Sequence, residues 1–301
     1  MTESSIKKSG FVTLMGRPNS GKSTLMNRVL GSYLSIVTHK AQTTRFNTLG
    51  ILNNTQGQMI FVDTPGIHLA KEGGLNAAMM EQAKEALQAP HVVWYLVDPT
   101  SKAEPEQRVL DFFKFIPKDA AIFVLMNKKD LGFDPSWVKR LPWGDRIPNL
   151  IWDISAETGE GVEELLEATW QRLPEGQPFY PDEDQISDRP TRFFIGEMIR
   201  EQVLKQLAEE IPYSCAIEVG KIEENAKPYR IEATIHVERE SQKGIVIGVG
   251  GRQIKKLGTE SRKQIETFLG QPVFLNLQVK IKKDWSKNPK QLKQMGFTLP
   301  S

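Results

Sequence analysis

Residues 16–23 read Gly-Arg-Pro-Asn-Ser-Gly-Lys-Ser (GRPNSGKS), directly after the apolar run Phe11–Met15 (FVTLM). From Gly21 onward Leu25, Met26, Val29 and Leu30 recur at helical spacing. The order is therefore strand, glycine-framed turn, helix. In that context G-x-x-x-x-G-K-[ST] cradles a chain of phosphates. The glycines let the backbone curl until several N–H groups face one anion. The helix that follows adds its positive end. The predicted phosphate contacts are Gly16, Arg17, Pro18, Asn19, Ser20, Gly21, Lys22, Ser23 and Thr24. Lys22 is expected to reach the β and γ phosphates and Ser23 to ligate Mg²⁺.

Four more apolar runs follow at helical separations: Gln58–Val62 (QMIFV), His91–Val97 (HVVWYLV), Ala121–Met126 (AIFVLM) and Leu150–Ile154 (LIWDI). Such runs predict buried strands of a mostly parallel α/β sheet with helices on both faces. Ligands of these sheets bind beyond the carboxyl ends of the strands. Each remaining motif stands just after a run or between two of them. Asp63-Thr64-Pro65-Gly66 places an acid to hold Mg²⁺ with Ser23, and a glycine N–H toward the γ phosphate. Asn127-Lys128-Lys129-Asp130 offers a carboxylate, Asp130, to the N1 and 2-amino donors of guanine. Adenine lacks that donor pair, so a buried Asp130 left unpaired would penalise ATP. Lys128 can lie along the ring, and Ser155-Ala156 can offer a backbone N–H to the guanine O6. The polar loop Lys40–Arg45 should carry a switch threonine that caps Mg²⁺; Thr44 is favoured, with Thr43 the alternative.

The nucleotide is thus read as GTP or GDP with Mg²⁺. Ras-type enzymes orient the attacking water with a Gln after the Asp-x-x-Gly motif. Here that position is Ile67, which offers no hydrogen bond, and intrinsic turnover is expected to be slow. His68 is a weak candidate base. Asn19 is a second candidate, as ligand to a monovalent cation such as K⁺ that would act like an arginine finger. The reaction is assigned to Asn19, Lys22, Thr44 and Gly66.

The chain has 301 residues, room for about two domains. Its single cysteine, Cys215, forms no internal disulfide. The first residues, MTESSIKKSG, lack a secretory apolar stretch, and no run of ~18 apolar residues occurs. Charge divides unevenly. Residues 1–190 hold 20 Lys/Arg against 24 Asp/Glu, and residues 191–301 hold 19 against 13. Such asymmetry predicts a polyanion partner for the second half. The boundaries read as a nucleotide domain at 1–174, a Pro- and acid-rich linker at 175–190, and an RNA-binding domain at 191–301. Within the last, Gly248-Val249-Gly250-Gly251 precedes a helix bearing Arg252, Lys255, Lys256, Arg262 and Lys263. A glycine-framed turn before a basic helix lets a nucleic-acid backbone approach closely.

Taken together, GRPNSGKS, QTTR, DTPG, NKKD, SAETG, IVIGVGG and LQVKIKKDW resemble the Era family of bacterial ribosome-assembly GTPases, within the TrmE-Era-EngA type, over nearly the whole chain. The resemblance implies a Ras-like P-loop NTPase domain followed by a type II KH domain. It implies GTP hydrolysis, binding of 16S rRNA near its 3′ end, and a role in maturing the 30S subunit. It also implies a cytoplasmic protein, part of it attached peripherally to the inner membrane; no obligate oligomer is expected. The family's G-x-x-G usually carries a basic second residue, and here it is Val249. That change should cost roughly 1 kcal/mol of RNA affinity and about one unit of salt slope. Two alternatives stand beside this reading: an RNA chaperone that uses GTP as a structural ligand, and a GTPase of another ribosome or tRNA maturation step.

Overall fold

The computed structural model describes residues 7–40, 42–67, 73–100, 109, 111–133 and 150–299. His68 lies outside them.

The first sheet has six strands in the order β2-β3-β1-β4-β5-β6. They are β1 (Lys8–Gly16), β2 (Thr48–Asn54), β3 (Gly57–Asp63), β4 (Val92–Val97), β5 (Ala121–Met126) and β6 (Leu150–Asp153). All neighbours pair in parallel except β2 and β3, which are antiparallel. Strands β4 and β5 are apolar throughout because both faces are covered. In β4, Val92, Trp94 and Leu96 face one core cluster, while Val93, Tyr95 and Val97 face another. That is the period-2 alternation of a strand buried on both sides. Helix α1 (Lys22–Leu30) and α3 (Val162–Trp170) cover the first face, and the indole N–H of Trp94 donates to Thr169 Oγ1 at 3.1 Å. Helix α2 (Gly74–Glu85) stands after the Asp63 loop.

Strand β1 lies between β3 and β4, so the chain turns to opposite sides of it. A crevice opens at such a reversal. Gly16, the last residue of β1, puts the 16–23 turn at its mouth.

Two expectations need correction here. Strand β2 was not among the apolar runs, because TLGILNN mixes polar residues into a sheet edge. Strand β6 is the opposite edge, and its residues alternate between half-buried and exposed instead of being buried.

The second sheet has the order β7-β8-β9, with β7 (Ala216–Glu223) antiparallel and β9 (Val273–Ile281) parallel to β8 (Tyr229–Val237). Helices α4 (Thr191–Gln206), the short α5 (Ile211–Ser214), α6 (Glu240–Ile247) and α7 (Arg252–Leu269) complete an α-α-β-β-α-α-β order around it. Helix α7 buries Leu257, Ser261 and Ile265, four residues apart, and leaves its basic residues outside.

The stretch read as a linker is tied down. Ile51 N donates to Ile186 O at 2.9 Å, Gln58 Nε2 to Tyr180 O at 2.8 Å, and Gly176 N to Lys7 O at 3.1 Å. Its backbone serves the edge strand β2, so an unperiodic segment still has partners. Sequence reading also missed helix α8 (Pro289–Gln294), whose cap is the Asn288 side chain accepting from Lys290 N and Gln291 N. Trp285, Leu292 and Phe297 then pack on Leu75, Ala78 and Met79 of α2. That cluster joins the end of the chain to the helix after Asp63.

Candidate functional site, a nucleotide cleft joined to a basic RNA-facing surface

A cleft of about 490 Å³ opens above β1 and is lined by the 18–24 turn, the 36–44 loop, Gly66, Asn127, Asp130 and Ala156. At its floor Ser23 Oγ donates to Asp63 Oδ2 at 2.7 Å and lies 3.0 Å from Thr44 Oγ1. Three side-chain oxygens, from the start of α1, the 36–44 loop and the end of β3, thus converge. Asp63 is fully buried, and its Oδ1 has no hydrogen-bond partner. A buried carboxylate oxygen without a donor and two adjacent hydroxyls fit a hard, oxygen-seeking cation such as Mg²⁺. Among the described residues no group of three or more His, Cys, Asp or Glu could hold a metal. This cluster has only one carboxylate; phosphate oxygens would complete it.

The two threonines make different contacts. Thr43 Oγ1 is engaged by Thr38 Oγ1 at 2.7 Å and by Lys40 O at 2.6 Å. Thr44 is the one beside Ser23.

Lys22 is 5% exposed and donates to the carbonyls of its own turn, Gly16 O at 3.2 Å and Arg17 O at 2.9 Å. Burial lowers its pKa to about 8, although the nearby Asp63 opposes this. Burial pushes the Asp63 carboxyl upward, against the pull of Lys22 and Ser23. Gly66 meets the turn so closely that an added Cβ would lie 2.7 Å from Pro18 Cα. Only glycine permits that approach.

The base end is built around Asn127, which is 2% exposed. Its Nδ2 donates to Ser20 O at 2.8 Å, and its Oδ1 accepts from Ala156 N at 2.8 Å. One amide thereby fixes the phosphate turn against the 155–156 loop. Lys128 is held by Asp98 Oδ2 at 2.5 Å, a partner the motif did not reveal.

Two details differ from the sequence reading. Asp130 is exposed, not buried, with Ser155 Oγ donating to its Oδ1 at 2.5 Å. The base itself would have to cover it. The N–H groups of Ser155 and Ala156 are both engaged, by Glu160 O and Asn127 Oδ1. A donor to O6 must therefore come from a shared bond or from another residue.

Ile67 is 1% exposed and packs into the second core cluster with Met15 and Tyr95. Its N–H donates to Gly16 O at 3.0 Å. The position that carries glutamine in Ras-type enzymes here points into the core. Asn19 has φ 63° and donates through Nδ2 to His39 O at 2.7 Å, which ties the phosphate turn to the switch loop.

The switch loop also reaches the second sheet's domain. Arg45 Nη1 donates to Cys215 O at 2.7 Å, and its Nη2 donates to Tyr213 O at 2.8 Å and Pro212 O at 3.1 Å. Arg200 of α4 donates to Thr43 O. Tyr33 OH donates to Glu201 of α4, which also accepts from Gln264 of α7. Thr44 thus stands between two residues anchored to the second domain.

On that domain Gly248, Gly250 and Gly251 all have positive φ. At Gly248 an added Cβ would lie 2.6 Å from Gln253 Cβ, so the turn requires glycine there. Val249 is 87% exposed at its tip. Arg252, Lys255, Lys256 and Arg262 are exposed on α7 and make no ion pair among the described residues. Lys263 is paired with Glu260 at 2.8 Å.

Residues 11–128 match a family described as 50S ribosome-binding GTPase, and residues 210–286 match the KH domain family. The chain is 43% identical over 296 residues to GTPase Era of Geobacter metallireducens, covering 97% of this chain and 98% of that one. The chain belongs to the Era family of GTPases. A second member, from Staphylococcus haemolyticus, is 41% identical over 294 residues, covering 96% of this chain and 97% of its own. A variant of Aquifex aeolicus Era solved with GDP.AlF4⁻ superposes with a TM-score of 0.89 at 35% identity, covering 97% of this chain and all of that one. An Era complex with MgGDPNP and nucleotides 1506–1542 of 16S ribosomal RNA matches equally well. As an Era-family GTPase the chain pairs a GTP-hydrolysing domain with a KH domain. No helix among the described residues is long and apolar enough to cross a membrane.

Proposed function

We propose that this Era-family GTPase is a GTP-dependent switch that binds 16S rRNA near its 3′ end and acts in 30S subunit maturation, in the cytoplasm with a peripherally membrane-attached fraction. The observation that carries this reading is the position of Thr44, with its hydroxyl 3.0 Å from Ser23 while the flanking Thr43 and Arg45 are held by the KH side. Ser23, Thr44 and Asp63 would hold Mg²⁺, which would neutralise charge developing on the β and γ phosphates. Lys22 would exchange its two loop carbonyls for phosphate oxygens. Drawing Thr44 toward the phosphates would pull on Arg45 and so on the backbone of Pro212–Cys215. The RNA half rests on the unpaired basic face of α7 and on the relative solved with 16S ribosomal RNA.

An oligonucleotide of the 16S rRNA 3′ end should bind at least about tenfold tighter than a scrambled one of equal length at physiological salt. Equal affinities would leave only sequence-independent charge attraction.

Hydrolysis without a glutamine needs another source of positive charge. Asn19 sits at the phosphate turn and touches the switch loop through Nδ2 to His39 O; with the amide turned so that Oδ1 faces that carbonyl, the two oxygens would share a monovalent cation. Hydrolysis is therefore expected to run faster in K⁺ than in Na⁺ at equal ionic strength, and Asn19→Ala should abolish the difference. Equal rates in the two salts would remove Asn19 from the reaction.

A further inference from the structure

A second cavity, of about 640 Å³, lies where the switch segment, residues 189–200, β7 and the C-terminal residues meet. It shares no lining residue with the nucleotide cleft. Five basic side chains line it, Arg45, Arg189, Arg192, Arg200 and Lys282, against two carboxylates, Glu197 and Glu218. Both carboxylates are already engaged, Glu197 by Arg200 and Glu218 by His236. Arg45 and Arg200 are each 2% exposed, and their like charges repel in the buried space. Nε of Arg45, Nε of Arg189 and Nη1 of Arg200 have no hydrogen-bond partner. All three atoms are buried, although Arg189 as a whole is only partly so, and unmet buried donors are costly. Water can accept from such groups but brings no charge. An anion answers both deficits, and the planar guanidinium fork suits phosphate oxygens.

The remaining wall is aromatic. Phe46 stacks on Phe297 with ring centroids 4.3 Å apart and meets Phe193 edge-on at 5.8 Å. Phe46 and Phe193 are only partly buried; Arg189 lies over the Phe193 ring, with its guanidinium carbon 5.0 Å from the centroid, and the ring surface still exposed is what a planar guest would meet.

We propose that this cavity is a second ligand site, for a mononucleotide unit whose phosphate is held by Arg189, Arg192 and Arg200 and whose base lies against Phe46 and Phe193. The unit can be a free nucleotide or one nucleotide of an RNA strand; the recognising chemistry is the same. Entry of the phosphate requires small rotations of the arginine side chains.

The test uses the full chain saturated with GDP and Mg²⁺, so that the first site is filled. Calorimetric titration with 5′-AMP should reveal one further site per chain, with adenosine and inorganic phosphate each binding roughly tenfold or more weakly. Arg200→Gln should weaken AMP about tenfold. Arg192→Gln, at an exposed position, should weaken it in the same direction without risk to folding. A single-stranded oligoribonucleotide that displaces AMP assigns the site to an RNA strand, and one that binds alongside AMP assigns it to a free nucleotide. AMP binding no tighter than adenosine, or unchanged in both variants, overturns the proposal.

Discussion

Asp130→Asn is expected to weaken GDP binding by roughly 10²- to 10³-fold, while XDP binding rises to approach that of the parent for GDP. The carboxylate is exposed at the end of the cleft, with Ser155 holding one oxygen in place. Guanine would present two donors to it. Each hydrogen bond to a charged acceptor contributes about 1.5–3 kcal/mol, and the amide turns one acceptor into a donor facing the guanine 2-amino group. Xanthine carries an oxygen at that carbon, so the amide regains a partner. The check is a pair of fluorescence titrations with labelled GDP and XDP on both proteins. Unchanged GDP affinity would mean that the base lies elsewhere in the cleft.

The second large effect belongs to Arg45. Its guanidinium bonds three carbonyls of residues 212–215 and lies over Trp285, with its carbon 5.9 Å from the ring centroid. Arg45→Ala strands those buried carbonyls, each at about 1–3 kcal/mol. Relief of the buried charge, disfavoured by burial and by Arg200, offsets part of this. The net loss is expected at about 2–4 kcal/mol, which lowers Tm by roughly 4–16 °C. Arg45→Lys should recover little, since a single ammonium nitrogen lacks the two separated donors that reach Cys215 O on one side and Pro212 O and Tyr213 O on the other. A thermal unfolding curve within about 1 °C of the parent would show that the contact contributes nothing.

Much of the cleft was legible because its chemistry is written in consecutive residues. The turn at 16–23 and the motifs at 63–66 and 127–130 each carry their own geometry, and β1, β3, β4 and β5 announce themselves as mainly apolar runs. What remained hidden depends on distant partners. Thr44, favoured over Thr43 from sequence, stands beside Ser23, 21 residues away, through a contact that no motif carries. The engaged N–H of Ala156 depends on Asn127, and the pinned Lys128 on Asp98, whose position after β4 gave no signal. Strand β2 was obscured by its edge position. The tie between the switch loop and the KH side had no motif at all. Arg45 reads in sequence as a polar loop residue, and its three acceptors are backbone atoms, which carry no side-chain signature.

That tie is the centre of the account, and RNA affinity in three nucleotide states tests it most directly. The 3′-end oligonucleotide should bind tightest with a non-hydrolysable GTP analogue and Mg²⁺, and roughly 5- to 150-fold more weakly with GDP or no nucleotide. Equal affinities in all three states would contradict the coupling of Thr44 to the KH domain through Arg45 and Arg200.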